Sequence, residues 1–193
     1  VRPKPTGAVV VLLSAGLTAV VQPLAPPAEK QWADMVLAVR EQHAEWMGVA
    51  LEQAHQCPES DVPIGAVVIV DGKVVGAACN RREADADPTA HAEILALRQA
   101  GQTLGTWRLD GAVLVVTVEP CAMCAGAAMN ARVGTIVFGV HEPKTGAVGS
   151  VWDLPRDRAA HPIPQVYPGV RADECRAVLD DFFADLRLRD RPE

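Results

Sequence analysis

The chain has 193 residues, 49% of them apolar and 22% charged, which is enough for one compact domain plus about 40 further residues and too little for two full domains. Eighteen Lys and Arg against 24 Asp and Glu leave a net charge of -6, and only 4% of residues are aromatic, so a broad phosphate-binding surface and an extended base-stacking platform are both excluded. The five cysteines, at 57, 79, 121, 124 and 175, are too sparse for a disulfide framework, and their only close pair is a C-x-x-C, which points to a reducing, cytoplasmic setting and to a metal or redox site.

Arg2 and Lys4 precede an apolar run from Ala8 to Val21, which is the grammar of an export signal. The run is too short to span a membrane, and Pro26 and Pro27 spoil the small-residue cleavage site that should follow. Residues 1–42 are therefore expected to be a poorly ordered N-terminal extension, or the product of a start site set too far upstream. Within them, Trp32, Met35, Val36 and Val39 keep helical spacing and predict a short helix over 28–40. From His43 onward the pattern is continuous, and Trp46, Met47, Val49, Ala50 and Ala54 predict a helix ending before Pro58. Residues 64–70 and 73–78 read as two strands of a hairpin, because Asp71-Gly72 between them supplies the positive φ that a type I′ turn needs. A helix over 90–100 follows, with Ile94, Leu95 and Leu97 inward, and 112–118 is an apolar run fit for a central strand covered on both faces. Residues 121–131 then read as a helix, 135–140 as a strand, 165–170 as an edge strand and 172–189 as a final helix. No internal repeat is present. Five strands interleaved with helices predict a single α/β sandwich with a mixed sheet over 43–193.

Two of the predicted helix starts carry chemistry. One holds His91-Ala92-Glu93, the other Pro120-Cys121-Ala122-Met123-Cys124. Pro120 suits a first helical turn, where its missing N–H is not needed, and Cys121 and Cys124, three apart, share one helix face. The positive end of the helix dipole favours thiolate, the form that binds zinc. His91 would add a nitrogen ligand, and three protein ligands leave a tetrahedral position open for water, whose pKa zinc lowers towards neutrality. Glu93 is two residues from His91, about 200° around a helix, so it does not join the same ligand set and can instead take a proton from that water and pass it on. Taken alone, a His-Ala-Glu is usually a surface or packing feature, and a C-x-x-C serves equally as a redox dithiol, a structural zinc site or a catalytic one. Together and in this order they match the zinc deaminase pattern H-x-E followed by P-C-x-x-C. A structural zinc would want a fourth ligand, for which Cys57, Cys79, Cys175, His141 and His161 qualify only by residue type.

Residues 43–193 also resemble the bacterial tRNA adenosine deaminase family, within the cytidine deaminase superfamily. The resemblance rests on DVPIGAVVI at 61–69, DPTAHAEILALRQ at 87–99, VTVEPCAMCAGAAMNARV at 116–133, FGVHEPKTGAVGS at 138–150 and ADECRAVLDDFF at 172–183. It implies a three-layer α/β/α sandwich on a mixed five-stranded sheet. It further implies hydrolysis of adenosine to inosine at the wobble position of a tRNA, chiefly an arginine tRNA, by a homodimer that binds the anticodon loop. By the same resemblance His91, Cys121 and Cys124 hold one Zn2+ per chain and Glu93 shuttles the proton. Asn80, Ile64, Ala92 and Phe183, or its neighbour Phe182, are implied to contact the flipped nucleotide, and Arg187, Arg189 and Arg191 offer positive charge for the RNA. Cys79 and Glu142 depart from the family, whose members often carry Trp and Asp there. Two rival readings are kept: a deaminase of a free nucleobase or nucleoside such as guanine or cytosine on the same fold, and a C-x-x-C thiol oxidoreductase.

Overall fold

A computed structural model describes residues 8–9, 22–23, 29–158 and 163–189. By its internal contacts the chain divides into two units, Val1–Arg40 and Glu41–Glu193. In the first, the two-residue strands β1 (Ala8–Val9) and β2 (Gln22–Pro23) pair antiparallel. Most of the apolar run that resembles an export signal lies outside the described residues, as does His161. No helix among the described residues is long and apolar enough to cross a membrane. The two helices expected over 28–40 and from His43 are one element, α1 (Glu29–Ala54). Nothing between Arg40 and His43 breaks a helix, since Glu41 and Gln42 are good helix formers.

The second unit is built on β3 (Gly65–Val70), β4 (Lys73–Cys79), β5 (Val113–Val118), β6 (Thr135–Val140) and β7 (Gln165–Tyr167), in the spatial order β4-β3-β5-β6-β7. The hairpin β3–β4 turns at Asp71 and Gly72 with φ of 49° and 74°, as the Asp-Gly pair predicts. β3 also pairs antiparallel with β5, whereas β5–β6 and β6–β7 are parallel, so the sheet is mixed. β7 stops three residues short of the predicted span because Pro168 has no N–H to donate and Gly169 turns the chain at φ 76°.

Three helices complete the unit: α2 (Ala92–Leu104), α3 (Ala122–Asn130) and α4 (Ala172–Arg189). α2 outruns its predicted end because Gly101 is tolerated inside it, and Gly105, in the left-handed conformation at φ 67°, provides the stop. Alternating strand residues face opposite layers. Ala66, Val68, Leu114, Val116, Ile136 and Phe138 pack with Ala92, Ala96 and Leu97 of α2 and Ala125 and Ala128 of α3. Val67, Ile69, Val115 and Val137 pack with Met47, Ala50 and Leu51 of α1 and Cys175 of α4. The result is the three-layer α/β/α sandwich, with β5 buried on both faces, which is why its sequence is apolar at every position but Thr117, whose hydroxyl oxygen accepts the Gly65 N–H.

Two glycines let helix backbone lie directly on strand backbone. A Cβ on Gly65 would overlap the Ala50 carbonyl and the Ala54 nitrogen of α1, and one on Gly76 would overlap the Ala96 carbonyl and sit 2.8 Å from the Ala100 nitrogen of α2. Backbone atoms cannot swing aside as a side-chain tip can. Gly76→Ala is therefore expected to destabilise the protein by about 1–3 kcal/mol or more, read as a lowered urea midpoint. Gly126→Ala, where a Cβ meets nothing within 4 Å, is the control expected not to lower it.

Candidate active site

His91 and Cys121 are both helix N-caps. Each has extended backbone, φ -72° and ψ 148° for His91 and φ -72° and ψ 175° for Cys121, so each side chain projects from the entry to its helix, α2 or α3. There the three donors meet. Cys121 Sγ lies 3.7 Å from Cys124 Sγ and 3.8 Å from His91 Nδ1, and Cys124 Sγ lies 3.6 Å from the same nitrogen. Tetrahedral zinc, with bonds of about 2.3 Å to sulfur and about 2.05 Å to nitrogen, would set two sulfurs about 3.8 Å apart and a sulfur and a nitrogen about 3.6 Å apart. The donor set thus fits that ion in type and spacing, and it is the only such group among the described residues.

The fourth-ligand candidates lie elsewhere. Cys175 is in the core on the far side of the sheet, Cys57 Sγ points to the Ile64 carbonyl, and His141 sits against Glu119 and Ser150. No disulfide joins any of the five cysteines. Cys121 is drawn down to about 4, first by the hydrogen bond from Cys124 and then by His91, whereas Cys124, which keeps its proton for that bond and is buried, is pushed up. Contact with Cys121 raises His91.

Glu93 is buried, and that burial pushes its carboxyl up to about 7, with the charge of Cys121 adding to the rise. It faces a cleft of about 230 Å³ that also reaches His91 and Cys121. The four residues expected to contact substrate all line this cleft: Ile64, Asn80, Ala92 and Phe183. Asn80 is held by its backbone N–H, which donates to the Ile64 carbonyl at 2.9 Å, and by Nδ2, which donates to the Val62 carbonyl at 3.3 Å. Phe183 reaches the cleft from α4, and its partner Phe182 instead lines a separate hollow with Glu59 and Arg189. Neither Arg187 nor Arg189 lines the cleft, and Arg191 lies outside the described residues.

Sequence reasoning missed three residues that shape this cleft. Glu119, fully enclosed, accepts hydrogen bonds from the backbone N–H groups of Glu142 (3.1 Å), Val148 (3.2 Å) and Ser150 (2.9 Å) and from the Ser150 hydroxyl. Burial would raise its carboxyl, yet these donors outweigh it and hold the group below the ordinary carboxylate range. They fasten the loop 141–150, which supplies Glu142 and Thr145 to the cleft. Gly146 is required there, since a Cβ would stand 2.6 Å from the Glu119 carboxylate. On the opposite rim, buried Asp61 accepts from the N–H groups of Glu83 (2.8 Å) and Ala84 (2.9 Å), fixing the turn that carries Arg82 into the cleft. The sequence signals were slight: a Glu before Pro120-Cys121, and an Asp before the Pro63 turn.

A mixed sheet between two helical layers, with one His and two Cys donors gathered at two helix starts, is shared by the cytidine deaminase-like deaminases, and this protein is an enzyme of that class. Comparison with known proteins narrows it. Residues 41–187 match the MafB19-like deaminase family. The chain is 41% identical over 145 residues to the tRNA-specific adenosine deaminase of Bacillus subtilis (strain 168), a match covering 75% of this chain and 90% of that one. A solved deaminase described for A-to-I editing at the wobble position of transfer RNA superposes with a TM-score of 0.68 at 42% identity, over 70% of this chain and 99% of that chain. A guanine deaminase from Nitrosomonas europaea gives a TM-score of 0.62 at 28% identity, over 73% of this chain and 84% of that chain. The chain belongs to the tRNA-specific adenosine deaminase family of MafB19-like deaminases.

Proposed function

We propose that this protein hydrolyses adenosine to inosine at the wobble position of a tRNA anticodon, chiefly of an arginine tRNA, with one Zn2+ per chain held by His91, Cys121 and Cys124 and with Glu93 moving the proton. The observation that carries this reading is the gathering of three zinc-spaced donors, two of which, His91 and Cys121, line one cleft with a buried carboxyl. Zinc in such a site lowers the pKa of water and so supplies a nucleophile at neutral pH. Glu93, placed near 7 by its burial, accepts one proton from the water as its oxygen bonds the ring carbon and passes that proton to the ring nitrogen. It then takes the second proton from the new hydroxyl and gives it to the amine, which leaves as ammonia as the C–N bond breaks. The cleft is of a size for a single base, so a nucleotide in RNA enters it flipped out of its stack. Ile64 forms the apolar wall, Asn80 and the backbone N–H of Ala92 hold polar edges, and Phe183 covers the open side. A homodimer in the cytoplasm completes the reading; five cysteines without a disulfide support a reducing compartment, and light scattering reads the dimer.

The same fold and cleft suit a free purine, and the likeness to a guanine deaminase keeps that second reading in play. Metal-loaded protein incubated with an arginine tRNA anticodon stem-loop and, separately, with guanine, cytosine and adenosine is expected to yield inosine in the RNA alone. Turnover of a free base with the RNA left intact would overturn the proposal.

A further inference from the structure

We infer that Arg82 binds a backbone phosphate of a polynucleotide beside the flipped nucleotide, so that the protein grips RNA at the mouth of the cleft. The inference rests on the RNA reading above and concerns how that RNA is held. Of the described residues that line the cleft, Arg82 is the only Lys or Arg. The remaining charged lining is acidic: Glu93 and Glu119 buried within, and Glu142 at the rim. A polyanion approaching a chain of net charge -6 meets repulsion unless a cation stands where it enters.

Arg82 is placed for that task. Its turn is fixed from beneath by the Asp61 carboxylate and closed by the Asp87 N–H, which donates to the Arg82 carbonyl at 3.2 Å. The guanidinium itself is half exposed and paired at 3.0 Å with Glu83, its chain neighbour, which is also more than half exposed. Such an exposed pair is weak in water, so a phosphate, with its bidentate fit to guanidinium, can take the place of Glu83. The C-terminal arginines are not so placed, since Arg189 pairs with Glu59 at 3.7 Å, away from the cleft. A free nucleobase carries no phosphate for Arg82 to bind, and this contact therefore favours a polymer.

The test is fluorescence anisotropy of a labelled anticodon stem-loop bound to the metal-loaded wild-type protein and to Arg82→Ala, Arg82→Lys and Lys73→Ala, with salt varied from about 50 to about 200 mM. Arg82→Ala is expected to weaken Kd about 5–10-fold and to make the slope of log Kd against log salt shallower by about 0.7, one phosphate contact on a single strand. Arg82→Lys is expected to restore the slope, and Lys73→Ala, at the other end of β4, to match wild type. An unchanged slope in Arg82→Ala, or weakened binding that keeps the full slope, overturns the inference. Turnover of the same RNA by the wild type is scored separately. RNA bound with an Arg82-dependent slope but not deaminated sinks the functional reading alone, deamination with an unaltered slope sinks this inference alone, and absence of RNA binding sinks both.

Discussion

Glu93→Gln is expected to lower kcat for deamination by about 10²–10⁴-fold, the usual contribution of a positioned general acid and base. The amide keeps the volume and a hydrogen-bonding oxygen but cannot exchange a proton. The site's donors are untouched by the change, so metal content by elemental analysis is expected to remain one ion per chain. Folding is expected to survive as well, because a neutral side chain replaces a carboxyl whose ionised form burial already disfavours. A variant that retains full activity would remove Glu93 from the reaction.

The second large effect concerns the donors. Cys124 is buried with His91 and Cys121 against it, and Cys124→Ala leaves only two donors. Zinc affinities at protein sites correspond to about 10–16 kcal/mol, so one donor of three or four accounts for about 3–5 kcal/mol, roughly 10²–10⁴-fold in affinity. The variant is expected to purify with well under one ion per chain and without activity. Cys57→Ser, whose Sγ points to the Ile64 carbonyl rather than to the cluster, is the matched control expected to keep its ion. In wild type, chelation is expected to abolish turnover and added Zn2+ to restore it. Full metal content in Cys124→Ala would show that the ion is held elsewhere.

Much of the sandwich is legible in the chain because short-range physics decides it. Asp71-Gly72 dictates a turn and the largely apolar run of β5 marks a strand covered on both faces, whereas the end of α2, read at Ala100, is set only by Gly105. The donor cluster is legible too, since its residue types and helix-start positions are local features even though 30 residues separate His91 from Cys121. What could not be read depends on closure in space. Glu119 finds Ser150 31 residues later, and Asp61 finds Glu83 22 residues later. A buried carboxylate satisfied at such range has no periodicity to announce it. Arg82 was hidden for the same reason, because nothing in Asn80-Arg81-Arg82-Glu83 says which arginine lines the cleft. The C-terminal arginines drew attention by their charge, but Arg187 and Arg189 lie on α4 and do not line the cleft.

The carboxylate of Glu119, clasped by its own loop, has a consequence for the thermodynamics of recognition. A flexible rim would have to surrender its freedom each time a guest arrived, weakening association by the entropy of that ordering. Here the segment from Glu142 to Ser150 is already immobilised by internal donors during folding, so the entrance has its shape in the empty protein. For the RNA substrate proposed above, conformational adjustment then falls on the nucleic acid, and loops that adopt the splayed geometry cheaply are selected over those that do not.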